Sequence, residues 1–266
     1  MKKTIVETDL GQKETYEKWN GKFLDESAYH TVIKVTDEDM GVMKPILSLD
    51  GSDVPLAYVI TNAFPQQSKI RDILTTIEDT STMRANCSGP IDKEDMLAKG
   101  LVEGEDYKLR TPNSYHTRTK SGGWGMIAYS NEIHSVMIGH KRGRFTGGID
   151  VSGWCKDNKD KWEALQEITE HNETAFAKAN NDIYRSQKSF AENNIRPEHR
   201  IGEGIFTTLS ANRYSAYQSA KMAAHVDSGD TDAGMTSMCV FREGDYDGAY
   251  LCFPRYGIAI DAPDNS

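Results

Sequence analysis

His225 and Asp227 stand two residues apart in the run Ala223-Ala224-His225-Val226-Asp227-Ser228-Gly229-Asp230. If this run is a strand, its period of two puts both side chains on one face. An imidazole and a carboxylate converging from one face are two of the three ligands of a 2-His-1-carboxylate iron site. A histidine alone is more often a satisfied structural group. Here an acid follows two residues on, and a glycine-rich turn, Gly244-Asp245-Tyr246-Asp247-Gly248, lies downstream. Asp227, Asp230 and Asp232 also suggest a calcium loop. That reading fails, because Ala233 and Met238 sit near or at the places where an EF-hand needs its Gly and its bidentate Glu.

Other chemistries find little support. Gly122-Gly123-Trp124-Gly125 is not followed by Gly-Lys-[Ser/Thr], so it is no phosphate loop. No Gly-x-Ser-x-Gly elbow occurs. Cys87, Cys155, Cys239 and Cys252 form no Cys-x-x-Cys pair and read as free thiols in a reducing compartment. The net charge of −9 argues against general attraction to phosphate. One basic patch stands against it, His140-Lys141-Arg142-Gly143-Arg144-Phe145-Thr146-Gly147-Gly148. Its cations and glycines suit a nucleic-acid backbone, and equally suit a solvated loop between strands.

The elements that must position these residues follow from periodicity. Tyr29–Val35 and Val54–Thr61 read as strands, and Pro65–Asp79 as a helix with Ile70, Ile73, Leu74 and Ile77 on one face. Residues 1–28 are polar and weakly patterned. Residues 80–123 read mostly as loop, with a short helix near Asp92–Leu101. Gly125–Tyr129 and Ser135–Ile138 suggest strands. Asn158–Asn194 is the clearest helix, with Trp162, Leu165, Ile168, Phe176, Ala179, Ile183 and Phe190 at three- and four-residue steps. It stops before Pro197. Gly204–Ser210, Ser219–Asp227, Ser237–Phe241, Ala249–Phe253 and Gly257–Ile260 then read as short strands. This order implies an α+β chain with a β-barrel core backed by helices. A chain of 266 residues can bury a full core. No apolar run reaches membrane-spanning length, and the start Met1-Lys2-Lys3 leads into polar sequence, so a soluble intracellular protein is expected.

The C-terminal motifs, taken in order, resemble the TET/JBP family of Fe(II)/2-oxoglutarate oxygenases. The matching residues are Asn212, His225, Asp227, Gly229-Asp230, the Ser237–Phe241 run, Gly244-Asp245-Tyr246-Asp247-Gly248 and Leu251–Pro254, covering roughly the last sixty residues. Ala249 stands where the family has a second Gly. The resemblance implies a double-stranded β-helix, or jelly-roll, core with flanking helices. It divides the single domain into an N-terminal α/β part (1–157), a long supporting helix (158–196) and the first half of the core (201–266). It implies hydroxylation of the methyl group of 5-methylcytosine or thymine in nucleic acid, with Fe(II) as metal and 2-oxoglutarate as co-substrate.

On this reading His225 and Asp227 bind the metal. Asp230 orients the substrate or a ligand, or else caps the turn after Asp227. Asn212 and Lys221 are the candidate co-substrate residues. Lys221 shares strand parity with His225 and points either at a 2-oxoglutarate carboxylate or to solvent. The family's distal His and the Arg that pairs with 2-oxoglutarate are expected further on. The barrel order places that His about 40–60 residues downstream, near or beyond position 265. His30, His116, His134, His140, His171 and His199 all precede the motif, and Arg242 and Arg255 come too early. The barrel is therefore expected to be incomplete at its C-terminal side, and the chain to turn over 2-oxoglutarate poorly. The motif does not name the substrate. A 2-oxoglutarate oxygenase acting on protein or a small molecule, and a non-catalytic relic, remain beside the first reading. No obligate protein partner is evident.

Overall fold

The computed structural model describes residues 4–6, 12–35, 44–48, 55–75, 82–83, 93–98, 100–111, 114–118, 121–122, 124–127, 133–142, 148–214, 222–226, 234–245 and 247–266. The chain is mixed α and β, as its periodicities predict. The strands gather into four small sheets, and no closed barrel forms among the described residues.

The first sheet joins β1 (Thr4–Val6), β3 (Lys44–Ser48) and β4 (Pro55–Val59) in the order β1-β3-β4. β2 (Thr31–Lys34) belongs elsewhere. It lies parallel to β13 (Ile258–Asp261), which pairs antiparallel with β12 (Leu251–Phe253). Residues far apart in sequence thus share one sheet. Ile33, Val35, Ile258 and Ile260 are buried on a common core, joined by Val59 and Ala262 and flanked by Leu251 and Phe253. The alternation of β2 and the apolar run of β13 both express this burial.

A second sheet is built on the long strand β9 (Ile133–Arg142). β10 (Ile149–Val151), β11 (Thr208–Tyr214) and the short β5 (Thr82–Met83) all pair with it antiparallel. Helix α2 (Gln67–Thr75), the short helix α4 (Gly153–Asp157) and helix α5 (Lys159–Ala179) contribute Ile73, Trp154, Cys155 and Leu165 to a core that holds Ile138 and Ala211 of this sheet. Gly139 is required in β9. Its φ is +93°, and a Cβ there would stand 2.6 Å from the carbonyl oxygen of Thr207. The third sheet is the meander β6 (Tyr107–Thr111), β7 (Ser114–Arg118) and β8 (Trp124–Ile127). Helix α3 (Lys93–Ala98) covers Tyr107 with Met96. β6 and β7 therefore occupy a stretch that reads mostly as loop in the sequence, while β8 overlaps the strand expected over 125–129.

The structure departs from the expected elements in three informative places. The single helix expected over 158–194 is two, α5 and α6 (Asn181–Asn194), divided at Asn180. Asn180 has extended backbone, accepts the N–H of Ile183 at 3.1 Å and donates Nδ2 to the Tyr58 hydroxyl at 3.1 Å. An Asn that caps a new helix and binds another element outweighs the continuing apolar period. The strand expected over 237–241 is irregular. Its neighbour Met235 gives its backbone N–H to Gln187 Oε1 (3.0 Å) and takes a hydrogen bond from Gln187 Nε2 (3.2 Å). Ser237 binds Asn172 Oδ1 at 2.6 Å. Within 237–241 Val240 exchanges backbone hydrogen bonds with Ser266 at 2.8 and 3.3 Å, a pairing of one residue rather than a strand ladder. Phe241 accordingly lies outside any strand, while Phe253 lies in β12 as expected. The third departure concerns the stretch that carries His225.

Candidate functional site

Residues 222–226 form no strand ladder with a neighbouring strand, contrary to the expected strand 219–227. They are held instead by the turn that follows helix α1 (Gln12–Trp19). Gly21 donates its N–H to the carbonyl of Ala224 at 2.8 Å, and Ala224 donates its own to the carbonyl of Lys22 at 2.9 Å. Trp19, at the end of α1, is buried, and so is Ala223. The flanking Val226 is 71% exposed, so the stretch rises from an anchored base at Ala223 to an open surface.

His225 lies within this rise. Its Nδ1 sits 2.7 Å from the carbonyl oxygen of Ala223. A carbonyl oxygen only accepts, so Nδ1 carries the hydrogen, and in the neutral ring the lone pair belongs to Nε2. Metal-binding histidines are typically fixed in this way, with the second nitrogen tied to a carbonyl or carboxylate.

Of the other candidates, Asn212 is exposed on β11, opposite Ser135 of β9. Its neighbour Ala211 points into the core, so alternation sends Asn212 to the other face. Asn212 and His225 occupy separate segments. Lys221, Asp227 and Asp230 lie outside the described residues, as does most of the basic patch after Arg142. Among the described residues, no group of three or more His, Cys, Asp and Glu is placed to hold a metal ion. No helix there is long and apolar enough to cross a membrane.

The two arginines that follow the motif, Arg242 and Arg255, are engaged in structure. Arg242 forms an ion pair with Asp261, and its backbone N–H donates to Asp264 at 2.7 Å. Arg71 in turn pairs with Asp264 and donates to the Arg242 carbonyl at 2.9 Å. Arg255 lies 5.5 Å over the ring of Tyr256. The thiols are equally structural. Burial pushes Cys239 up to about 12, and it raises Cys252 as well, so neither is a thiolate nucleophile near neutrality.

A cleft of about 390 Å³ opens beside α5, lined in part by Glu170, Glu173, Lys178 and Tyr184. Burial raises the Glu173 carboxyl above its ordinary range. Its oxygens accept from Ile205 N–H at 2.6 Å and the Tyr184 hydroxyl at 3.4 Å. Gly204 lacks a side chain because the carboxylate passes over it. Glu173 therefore fastens the 201–205 turn to the helix.

The residues that sequence reasoning missed are Gly21 and Lys22, which hold the backbone of Ala224, and Ala223, whose carbonyl binds the His225 ring. Asn20-Gly21 is a turn signal. Nothing in it points to a partner two hundred residues on. No protein-family model matches this chain, and neither a curated protein nor a solved structure matches it.

Proposed function

We propose that the chain is an Fe(II)/2-oxoglutarate-dependent dioxygenase that hydroxylates the methyl group of 5-methylcytosine or thymine in nucleic acid, on a double-stranded β-helix core. The observation that carries this reading is the His225 ring. Its Nδ1–H is given to a backbone carbonyl and its lone pair belongs to Nε2, the state a metal ligand needs. The sequence supplies two of the three ligands of a facial iron site, an imidazole followed two residues on by the carboxylate of Asp227.

His225 and Asp227 would hold the metal, and Asn212 and Lys221 are the residues proposed for 2-oxoglutarate. When bound, iron and 2-oxoglutarate supply the oxidation: 2-oxoglutarate, O₂ and a methyl group give succinate, CO₂ and a hydroxymethyl group. The chain's own part is orientation. The Ala223 carbonyl holds the imidazole, Asp227 would bring negative charge to a dication, and Asp230 would orient the substrate or a ligand. A base within a duplex must leave its stack to reach such a site.

Mn(II), a redox-silent surrogate for Fe(II), tests the assignment by titration calorimetry. Binding should fall at least tenfold in His225→Ala and in Asp227→Ala, as expected when a ligand is lost. Equal affinity in both variants and the parent chain would overturn it. Succinate release with methylcytosine- or thymine-containing DNA then tests the substrate. Turnover that needs His225 but ignores DNA would move the substrate to protein or a small molecule.

A further inference from the structure

We infer that the turn Asn20-Gly21-Lys22 is a positioning element of the metal site, and that Gly21 sets which nitrogen of His225 faces the metal. This rests on the reading of His225 as a ligand. Three observations converge on it. Ala224, between Ala223 and His225, has both backbone groups bound by the turn, its C=O by Gly21 N–H and its N–H by Lys22 C=O. The His225 ring is in turn bound to the carbonyl of Ala223. Gly21 has φ +76°, a left-handed conformation that glycine adopts freely and that side chains with a Cβ resist.

The mechanical consequence is direct. Ala223 C=O and the His225 side chain belong to residues on either side of Ala224. Their relative direction depends on the backbone torsions at Ala224. A residue held at both its N–H and its C=O has those torsions restrained. The restraint comes from a turn whose path needs positive φ at Gly21. The turn is itself anchored by Trp19, which is buried and accepts the N–H of Lys22 at 3.0 Å. Helix α1 also packs against the 3₁₀ turn Pro254–Tyr256 that joins β12 to β13. An N-terminal helix therefore reaches the candidate ligand through two backbone hydrogen bonds and one glycine. No side chain in the turn needs to touch metal or substrate.

The test reads the tautomer of His225 on the full chain by ¹⁵N NMR at about pH 8, above the ordinary range of a histidine side chain. His225→Gln identifies the signal among the seven histidines. The parent chain should show Nδ1 protonated. Gly21→Val should move the population toward Nε2–H, the form that imidazole favours in water. Gly21→Asn, which tolerates positive φ, should restore the parent state. Gly100→Val is the control. Gly100 has φ +73° with open space around it, so it carries the same strain in a different turn. Gly21→Ala is measured in parallel, and it decides by the same criterion where the valine variant does not fold.

Mn(II) affinity should fall about tenfold in Gly21→Val and Gly21→Ala, and should hold in Gly100→Val. A folded Gly21→Val chain that keeps Nδ1–H overturns the inference, as does an equal shift in Gly100→Val. A parent chain that binds no Mn(II) would instead sink the metal reading, and the tautomer shift would still decide the role of Gly21.

Discussion

His140 shows how much one side chain can reveal. Its Nδ1 is buried with no hydrogen-bond partner among the described residues. Its ring lies 5.8 Å from that of His199 and 6.3 Å from that of Trp162. Burial first, and the neighbouring His199 second, hold the imidazole below its ordinary 6.5. The folded chain therefore prefers His140 neutral. Full stability is present above the unfolded value and is lost as pH falls from about 6.5 toward the lower folded value. The urea midpoint should drop between pH 7 and pH 5 in the parent chain. His140→Gln should flatten that drop, and an unchanged slope would show that another group governs it. Asn265 is the second informative residue. It is buried, its Oδ1 accepts the N–H of Phe64 and its Nδ2 donates to the Phe64 carbonyl, both at 3.1 Å. Asn265→Ala leaves two buried backbone groups unsatisfied and should cost about 2–4 kcal/mol in urea unfolding. A loss below about 0.5 kcal/mol, the level of an ordinary surface change, would show that water replaces the amide.

At the scale of elements, Asn180 decides where α5 ends and α6 begins. Asn180→Ala removes the cap on Ile183 and the bond to Tyr58. It should destabilise the chain by about 1–2 kcal/mol. Helical circular dichroism at low temperature should be unchanged or slightly higher, because the alanine favours a continuous helix. A fall in helical signal would mean that α6 depends on the cap to form. The same residue shows what the sequence makes legible. The apolar steps from Trp162 through Leu165 to Ile168 report a helical face correctly, because burial against the β9 sheet demands that period, whereas Phe190 at the far end is 48% exposed. They are silent about the break, since an Asn in the period reads equally as a solvent-facing helical residue. The runs 237–241 and 219–227 read as strands, but the sequence does not name their hydrogen-bond partners. In one case the partners are Asn172 and Ser266, and in the other the turn at Gly21. Local pattern carries no information about a partner so distant in sequence. The pairing of β2 with β13 was illegible for the same reason. His225 and Asp227 are proposed from sequence because their chemistry is local, whereas the turn that supports His225 is not signalled there.

At the scale of the whole molecule, charge is the property that bears most on a nucleic-acid substrate. The net charge is −9, so any affinity for phosphate must come from a local surface. Lys141 is exposed on β9, and Lys156 follows on α4. Between them stands Asp150, which pairs with Lys156 at 2.9 Å and lies opposite Lys141 in the sheet. The Lys156 ammonium holds the Asp150 carboxyl below its ordinary range. Part of the positive charge on this surface is therefore answered within the protein, and the cation with the greater freedom to meet phosphate is Lys141. Lys141→Gln should weaken binding to duplex DNA by a similar factor for methylated and unmethylated sequences, because a phosphate contact reads no base. It should also lower the slope of log affinity against log salt by about 1. Fluorescence anisotropy across a salt series measures both quantities. Asp150→Asn is the converse variant. It releases Lys156 and removes a negative charge, so it should tighten binding and steepen the slope. If neither variant moves the slope, this surface does not meet nucleic acid, and a substrate in DNA or RNA would have to be gripped elsewhere on an acidic molecule.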